Sequence, residues 1–100
     1  VTYLGMPQPL EKTIVAKVMA QAKSLGWWPA KMHGNAFMLA GLPDVLVIKD
    51  GMAAWMEVKR PGQTPSKIQL HRMRELTGHG CPVAVVTSAA QAKEFLESIQ

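Results

Sequence analysis

One hundred residues, 48% of them aliphatic, aromatic, Met or Cys, make a single foldable domain with one modest core and exclude an intrinsically disordered chain. No apolar run approaches the ~20 residues a bilayer-spanning helix needs, no signal peptide opens the chain, and Cys81 has no partner for an internal disulfide, so a reducing, cytoplasmic setting is expected. The formal charge of +4 and pI near 9.5 suit a polyanionic partner such as nucleic acid, although many basic domains have none.

After a loose start containing Pro7 and Pro9, "LEKTIVAKVMAQAKSLG" predicts an amphipathic helix over residues 10–25. Ile14, Val15, Val18, Ala22 and Leu25 fall on one stripe, and Gly26 stands where a helix C-terminal glycine belongs. "WWPAKMH" predicts a short strand, with Pro29 placing it at a sheet edge or bulge. "GNAFMLAGLP" is a loop or a partly extended connection. "DVLVIK" and "MAAWMEVK" are two strands, and Asp50-Gly51 between them is a strong signal for a type I′ hairpin turn.

Pro61 and Gly62 end the second of these strands. Thr64 as N-cap and Pro65 at the first helical position predict a helix reaching about Thr77, closed by Gly78 and Gly80. "CPVAVVTS" is a continuous apolar run, expected as a strand buried on both faces. Ser88 and Gln91 form a capping box for a last helix that turns Ala92, Phe95, Leu96 and Ile99 inward. The order helix, strand, strand, strand, helix, strand, helix implies an α/β fold: a small mixed sheet with helices packed on it.

A two-residue turn at Asp50-Gly51 pairs 49 with 52 and, carried outward, sets Asp44 opposite Glu57, with Cβ atoms ~4.5–5.5 Å apart on one face. Lys59 lies two residues further on and shares that face. Leu46, Ile48, Ala53 and Trp55 share it too, while Val45, Val47, Met52, Ala54, Met56 and Val58 take the other, so both faces are expected to be covered. A solvated, salt-bridged sheet end is one reading of the three charges. The other is a divalent-metal site, because two carboxylates at the rim of a buried face repel and one lysine cannot neutralise both. Hard carboxylate oxygens suit Mg²⁺ or Mn²⁺.

Two further polar residues lie on stripes that point toward the core. Glu11 opens the first helix on the stripe of Val15, Val18 and Ala22, either as a first-turn acid that favours the helix dipole or as part of the site. Gln69 shares a helical face with Leu70, Met73, Leu76 and Thr77, where it bonds either to backbone or to the site.

Pro43-Asp44 and Glu57-Val58-Lys59 together form a PD…ExK signature, which resembles that of the PD-(D/E)xK nucleases. The stretch "GLPDVLVIKDGMAAWMEVKRPGQTPSKIQLHRM" is more narrowly similar to the VRR-NUC (virus-type replication-repair nuclease) family. The shared features are G-x-P-D, a hairpin, E-V-K-x-P and a helix carrying Gln, over about residues 41 to 88. Glu11 matches the upstream acidic residue of the family more loosely.

The resemblance implies a restriction-endonuclease-like α-β-β-β-α-β core with an added C-terminal helix, filling residues 1–100 as a single nuclease domain of the stand-alone phage type. It implies Mg²⁺- or Mn²⁺-dependent hydrolysis of DNA phosphodiesters by a homodimer that cuts four-way (Holliday) junctions. Asp44 and Glu57 would bind metal, joined by the Val58 main-chain carbonyl and by Glu11 directly or through water. Lys59 would orient the attacking water or offset charge, and Gln69 would position that water or Lys59. A non-catalytic branched-DNA-binding module on the same fold is the alternative.

Lys31, Arg60, Lys67, His71, Arg72 and Arg74 are candidate DNA contacts, each also readable as a solvated surface charge. Many relatives carry a basic residue shortly before G-x-P-D, whereas "AFMLAGLPD" is apolar and Lys31 is the nearest cation before it. Trp27 and Trp28 are candidates for base stacking, a dimer interface or the core. His33, His71 and His79 lack zinc-ligand spacing, and Cys81 reads as a small core residue.

Overall fold

The computed structural model describes residues 10–32 and 38–100. Its elements run α1 (Glu11–Ser24), β1 (Trp28–Lys31), β2 (Val45–Lys49), β3 (Met52–Val58), α2 (Lys67–Gly78), β4 (Val83–Val86) and α3 (Ala89–Ser98). The four strands form one sheet in the order β1-β2-β3-β4, antiparallel except for the parallel β3–β4 pair. The α2 crossover between β3 and β4 is what makes that parallel step possible, since parallel neighbours cannot be joined by a tight turn. This is the α/β order expected from the sequence.

The hairpin register follows from its turn. Asp50 and Gly51 both take positive φ, 51° and 80°, as a type I′ turn requires. Lys49 pairs with Met52 and Val45 with Met56. Val45, Val47, Ala54, Met56 and Val58 therefore point to one face, where they are fully buried against Ile14, Val15, Val18 and Ala22 of α1 and Ala92 and Leu96 of α3. Phe95 and Ile99 pack against this cluster as partly buried neighbours.

The opposite face is less covered than the alternation predicts. Ile48, near the hairpin turn and away from Glu57, is 36% exposed, and Val85 is 41% exposed although it pairs with Glu57, because β4 is the outer strand of the sheet. Strand β4 is correspondingly an edge strand rather than one buried on both faces. Its apolar run serves α3 on one side, where Val86 is buried, and is half open on the other.

Three local expectations shift by small amounts. The N-cap of α2 is Ser66, not Thr64. Ser66 Oγ accepts from Gln69 N at 3.3 Å, and Gln69 Oε1 accepts from Ser66 N at 2.8 Å, so a reciprocal capping box satisfies two helix-end donors that a start at Pro65 would leave unmet. At α3, Ser88 Oγ accepts from Gln91 N, but the Gln91 side chain accepts from Thr87 N and Oγ1, giving half a box shifted by one residue. Strand β1 runs only from Trp28 to Lys31, leaving Trp27 and Met32 of its expected span outside it, and His33 lies outside the described residues, as does part of the following loop. Pro29 sits in this edge strand opposite Val47, as its missing N–H allows.

Candidate active site

Strand β3 carries Glu57 into the interior at 0% exposure, the sole buried charged side chain among the described residues. Asp44 stands one position before β2, and its carbonyl accepts from Met32 N at 2.8 Å, which ties it to the end of β1. Continuing the β2–β3 register beyond Val45–Met56 sets Asp44 beside Glu57 and Pro43 beside Val58.

That last pairing explains the proline. A residue facing Val58 would ordinarily exchange two ladder bonds with it, but Pro43 has no N–H to donate. The Val58 N–H turns instead to Asp44 Oδ2 at 2.8 Å. The Val58 carbonyl points the same way as its N–H and meets no ladder donor from Pro43. Extending the hairpin register by one residue would have revealed this function of Pro43 from sequence.

Glu57 is held from two sides. Gln69 Nε2 donates to its Oε1 at 3.2 Å, and Lys59 Nζ lies 3.8 Å from the same oxygen, an ion-pair separation rather than a hydrogen bond. Gln69 thus caps α2 with its oxygen and holds Glu57 with its nitrogen. It bonds both to backbone and to Glu57, and makes no bond to Lys59 among the described residues.

Glu57 Oε2 is buried with no hydrogen-bond partner among the described residues. A carboxylate oxygen without a donor is costly in a low-dielectric interior. The Glu57 carboxyl is accordingly raised from 4.5 to about 8, first by burial and then by Asp44, through its charge and as an acceptor for the proton; Lys59 opposes the shift and Glu11 adds to it weakly.

Below pH 4.5 folded and unfolded chains both carry the Glu57 proton. Between 4.5 and about 8 the unfolded chain releases it while the metal-free native state keeps it, so native stability falls as pH rises through this window. The metal-free midpoint is expected to drop by on the order of 10 °C between pH 5 and pH 8, equivalent to about 2 kcal/mol. Saturating Mn²⁺ should remove most of that drop. Differential scanning fluorimetry at stepped pH, with and without Mn²⁺, measures both effects.

Asp44, Glu57 and the Val58 carbonyl form an all-oxygen donor set, and the orphaned Oε2 is a position a hard cation would satisfy; these residues fit Mg²⁺ or Mn²⁺. Glu11 does not complete the set directly. It is the half-exposed first residue of α1, and no three acidic, His or Cys side chains gather into a metal-sized cluster among the described residues. Its charge reaches Glu57 only at a distance.

The candidate DNA contacts divide. Lys31, Lys67 and Arg74 are exposed, and His71 is exposed with Nε2 3.8 Å from Glu75. Arg60 follows Lys59 half-buried, and its Nε has no partner among the described residues. Arg72 differs from all of these: its Nε donates to Ala40 O and its Nη1 to Glu75 Oε1, each at 2.8 Å. The cation bonded to the segment that leads into G-x-P-D therefore comes from α2, while Lys31 pairs in register with Val45, next to Asp44. Trp27 is core at 2% exposure and Trp28 is open at 60%. Cys81 is half-buried, its N–H donating to the Leu76 carbonyl.

No family model and no curated protein matches the sequence. Among solved structures, one VRR_NUC domain superposes with a TM-score of 0.76 at 25% sequence identity, covering 90% of this chain and 97% of its own. It agrees with the PD…ExK hairpin and the Gln-bearing helix already described. The chain is similar to the VRR-NUC family in fold and in signature. Its mixed four-stranded sheet flanked by helices is the VRR-NUC fold, and the family is one of nuclease domains. No described helix is long and apolar enough to cross a membrane.

Proposed function

We propose that this VRR-NUC domain is a divalent-metal-dependent, structure-specific DNA endonuclease that cleaves four-way junctions as a homodimer. The observation that carries the metal-dependent part is Glu57: buried, one oxygen unpartnered, its carboxyl raised to about 8 beside Asp44 and Lys59. A group kept at such cost is one with a ligand to meet.

Asp44, Glu57 and the Val58 carbonyl would hold the cation. When bound, Mg²⁺ or Mn²⁺ supplies Lewis acidity toward a phosphate oxygen and makes a bound water easier to deprotonate. Lys59, 14% exposed at its side chain, offsets negative charge that develops on the phosphate in the transition state. Gln69 fixes the Glu57 rotamer from α2. Glu11 acts as an outer charge, through water rather than by direct ligation. Lys31, Lys67, Arg74 and Arg60 supply phosphate contacts, so DNA binding should weaken steeply with salt.

Junction specificity and dimerisation rest on the family resemblance and on counting. One site per chain cuts one strand, and resolving a junction requires two cuts. The alternative, a branched-DNA-binding module without turnover, is disfavoured by the orphaned carboxylate, which such a module would have no use for.

Labelled four-way junction, splayed and linear duplex DNA incubated with Mg²⁺, Mn²⁺ or EDTA tests the reading. Paired nicks in the junction that vanish in EDTA are expected. Tight junction binding with no cutting in either metal would replace the nuclease with the binder.

A further inference from the structure

Helix α2 touches both arms of the site. Gln69 holds Glu57 on β3, and one turn later Arg72 Nε donates to the Ala40 carbonyl ahead of β2. Gly41, next in the chain, has φ +83°, and a Cβ there would stand 2.7 Å from the Ile68 carbonyl oxygen of the same helix. The segment is both hydrogen-bonded to α2 and pressed against its backbone. Only Leu42 and the fully buried Pro43 separate Gly41 from Asp44, and a proline ring leaves little freedom at φ. A shift at Ala40 therefore has only this short segment through which to be absorbed before it reaches Asp44.

We propose that Arg72 is a positioning residue of the metal site: its guanidinium clamps the Ala40–Asp44 segment to α2, the helix that also holds Glu57, and so steadies the placement of Asp44 that the β2–β3 register brings about. The inference rests on the metal-dependent reading above. Its alternative is that Arg72 is a phosphate contact. Against that, the side chain is only 17% exposed and two of its three nitrogens are already engaged, one by Ala40 and one by Glu75. A guanidinium serves here because its planar fork meets a carbonyl and a carboxylate at once, which a lysine ammonium does not.

Mn²⁺ binding measured by calorimetry without DNA, and DNA affinity measured in EDTA across a salt series, separate the two roles. Arg72→Met and Arg72→Lys are each expected to weaken Mn²⁺ binding about 10-fold, as for other residues that orient metal ligands. Gly41→Ala, which disturbs the same segment with Arg72 intact, should weaken it comparably. DNA affinity in EDTA and its salt slope should stay within about twofold of wild type. Should Arg72→Met fail to fold, Arg72→Lys and Gly41→Ala carry the test. Unaltered Mn²⁺ binding in Arg72→Met, with DNA affinity lost there and restored in Arg72→Lys, would make Arg72 a phosphate contact and overturn the proposal. A wild-type protein that binds no Mn²⁺ would remove the metal-site reading itself, and the proposal with it.

Discussion

Glu57→Gln is expected to lower metal-dependent cleavage by at least about 10³-fold, the several kcal/mol that a lost Lewis-acid ligand removes from transition-state stabilisation. The same substitution should raise the thermal midpoint of the metal-free protein at pH 8 by about 5–10 °C. The amide matches the carboxyl in shape, and its oxygen can still accept from Gln69 Nε2. What disappears is the charge that burial and Asp44 oppose. At pH 5, where native Glu57 is already protonated, variant and wild type should melt together. This crossing of activity against stability distinguishes a ligand site from a structural salt bridge. A bridge to Lys59 would make Glu57→Gln destabilising at pH 8, and that result would sink the metal reading.

Lys59→Ala is expected to reduce kcat by about 10²–10³-fold, the range found when a donor aimed at developing charge is removed. Mn²⁺ affinity at pH 8.5 should change by less than about threefold, because neither carboxylate nor the Val58 carbonyl moves. Lys59 currently opposes the upward shift of Glu57, so its loss should also move the acidic limb of the pH–activity profile to higher pH. Single-turnover cleavage at saturating junction DNA isolates the chemical step from binding. Unchanged kcat with weakened DNA affinity in EDTA would make Lys59 a phosphate anchor rather than a participant in the reaction.

The parts of the site legible in the sequence are those that local rules govern. Asp50-Gly51 dictates a type I′ turn, the turn dictates the register, and the register sets Asp44 beside Glu57 with no knowledge of the rest of the chain. The apolar stripes of α1 and α3 likewise name the residues that cover the buried sheet face. Even the misplaced start of α2 had a local signal, since Ser66 and Gln69 carry the same S-x-x-Q spacing as Ser88 and Gln91.

Tertiary packing decided the rest. A stripe containing Gln69 does not say which strand it will meet, and a second apolar alternation on the hairpin does not say whether a helix will cover it. Helix α2 meets Glu57 through Gln69, while Ile48 near the hairpin turn and Val85 on the outer strand stay open. Arg72 looked like any surface cation, yet its partner Ala40 is 32 positions away in sequence. Trp27 and Trp28, adjacent and alike, part into core and surface because successive side chains of an extended segment point to opposite faces and only one has a helix behind it. Turn type, register and helix stripes depend on residues a few positions apart. The burial that raises Glu57 and the clamp that holds Asp44 depend on which elements meet, and that is settled by the packing of the whole sheet.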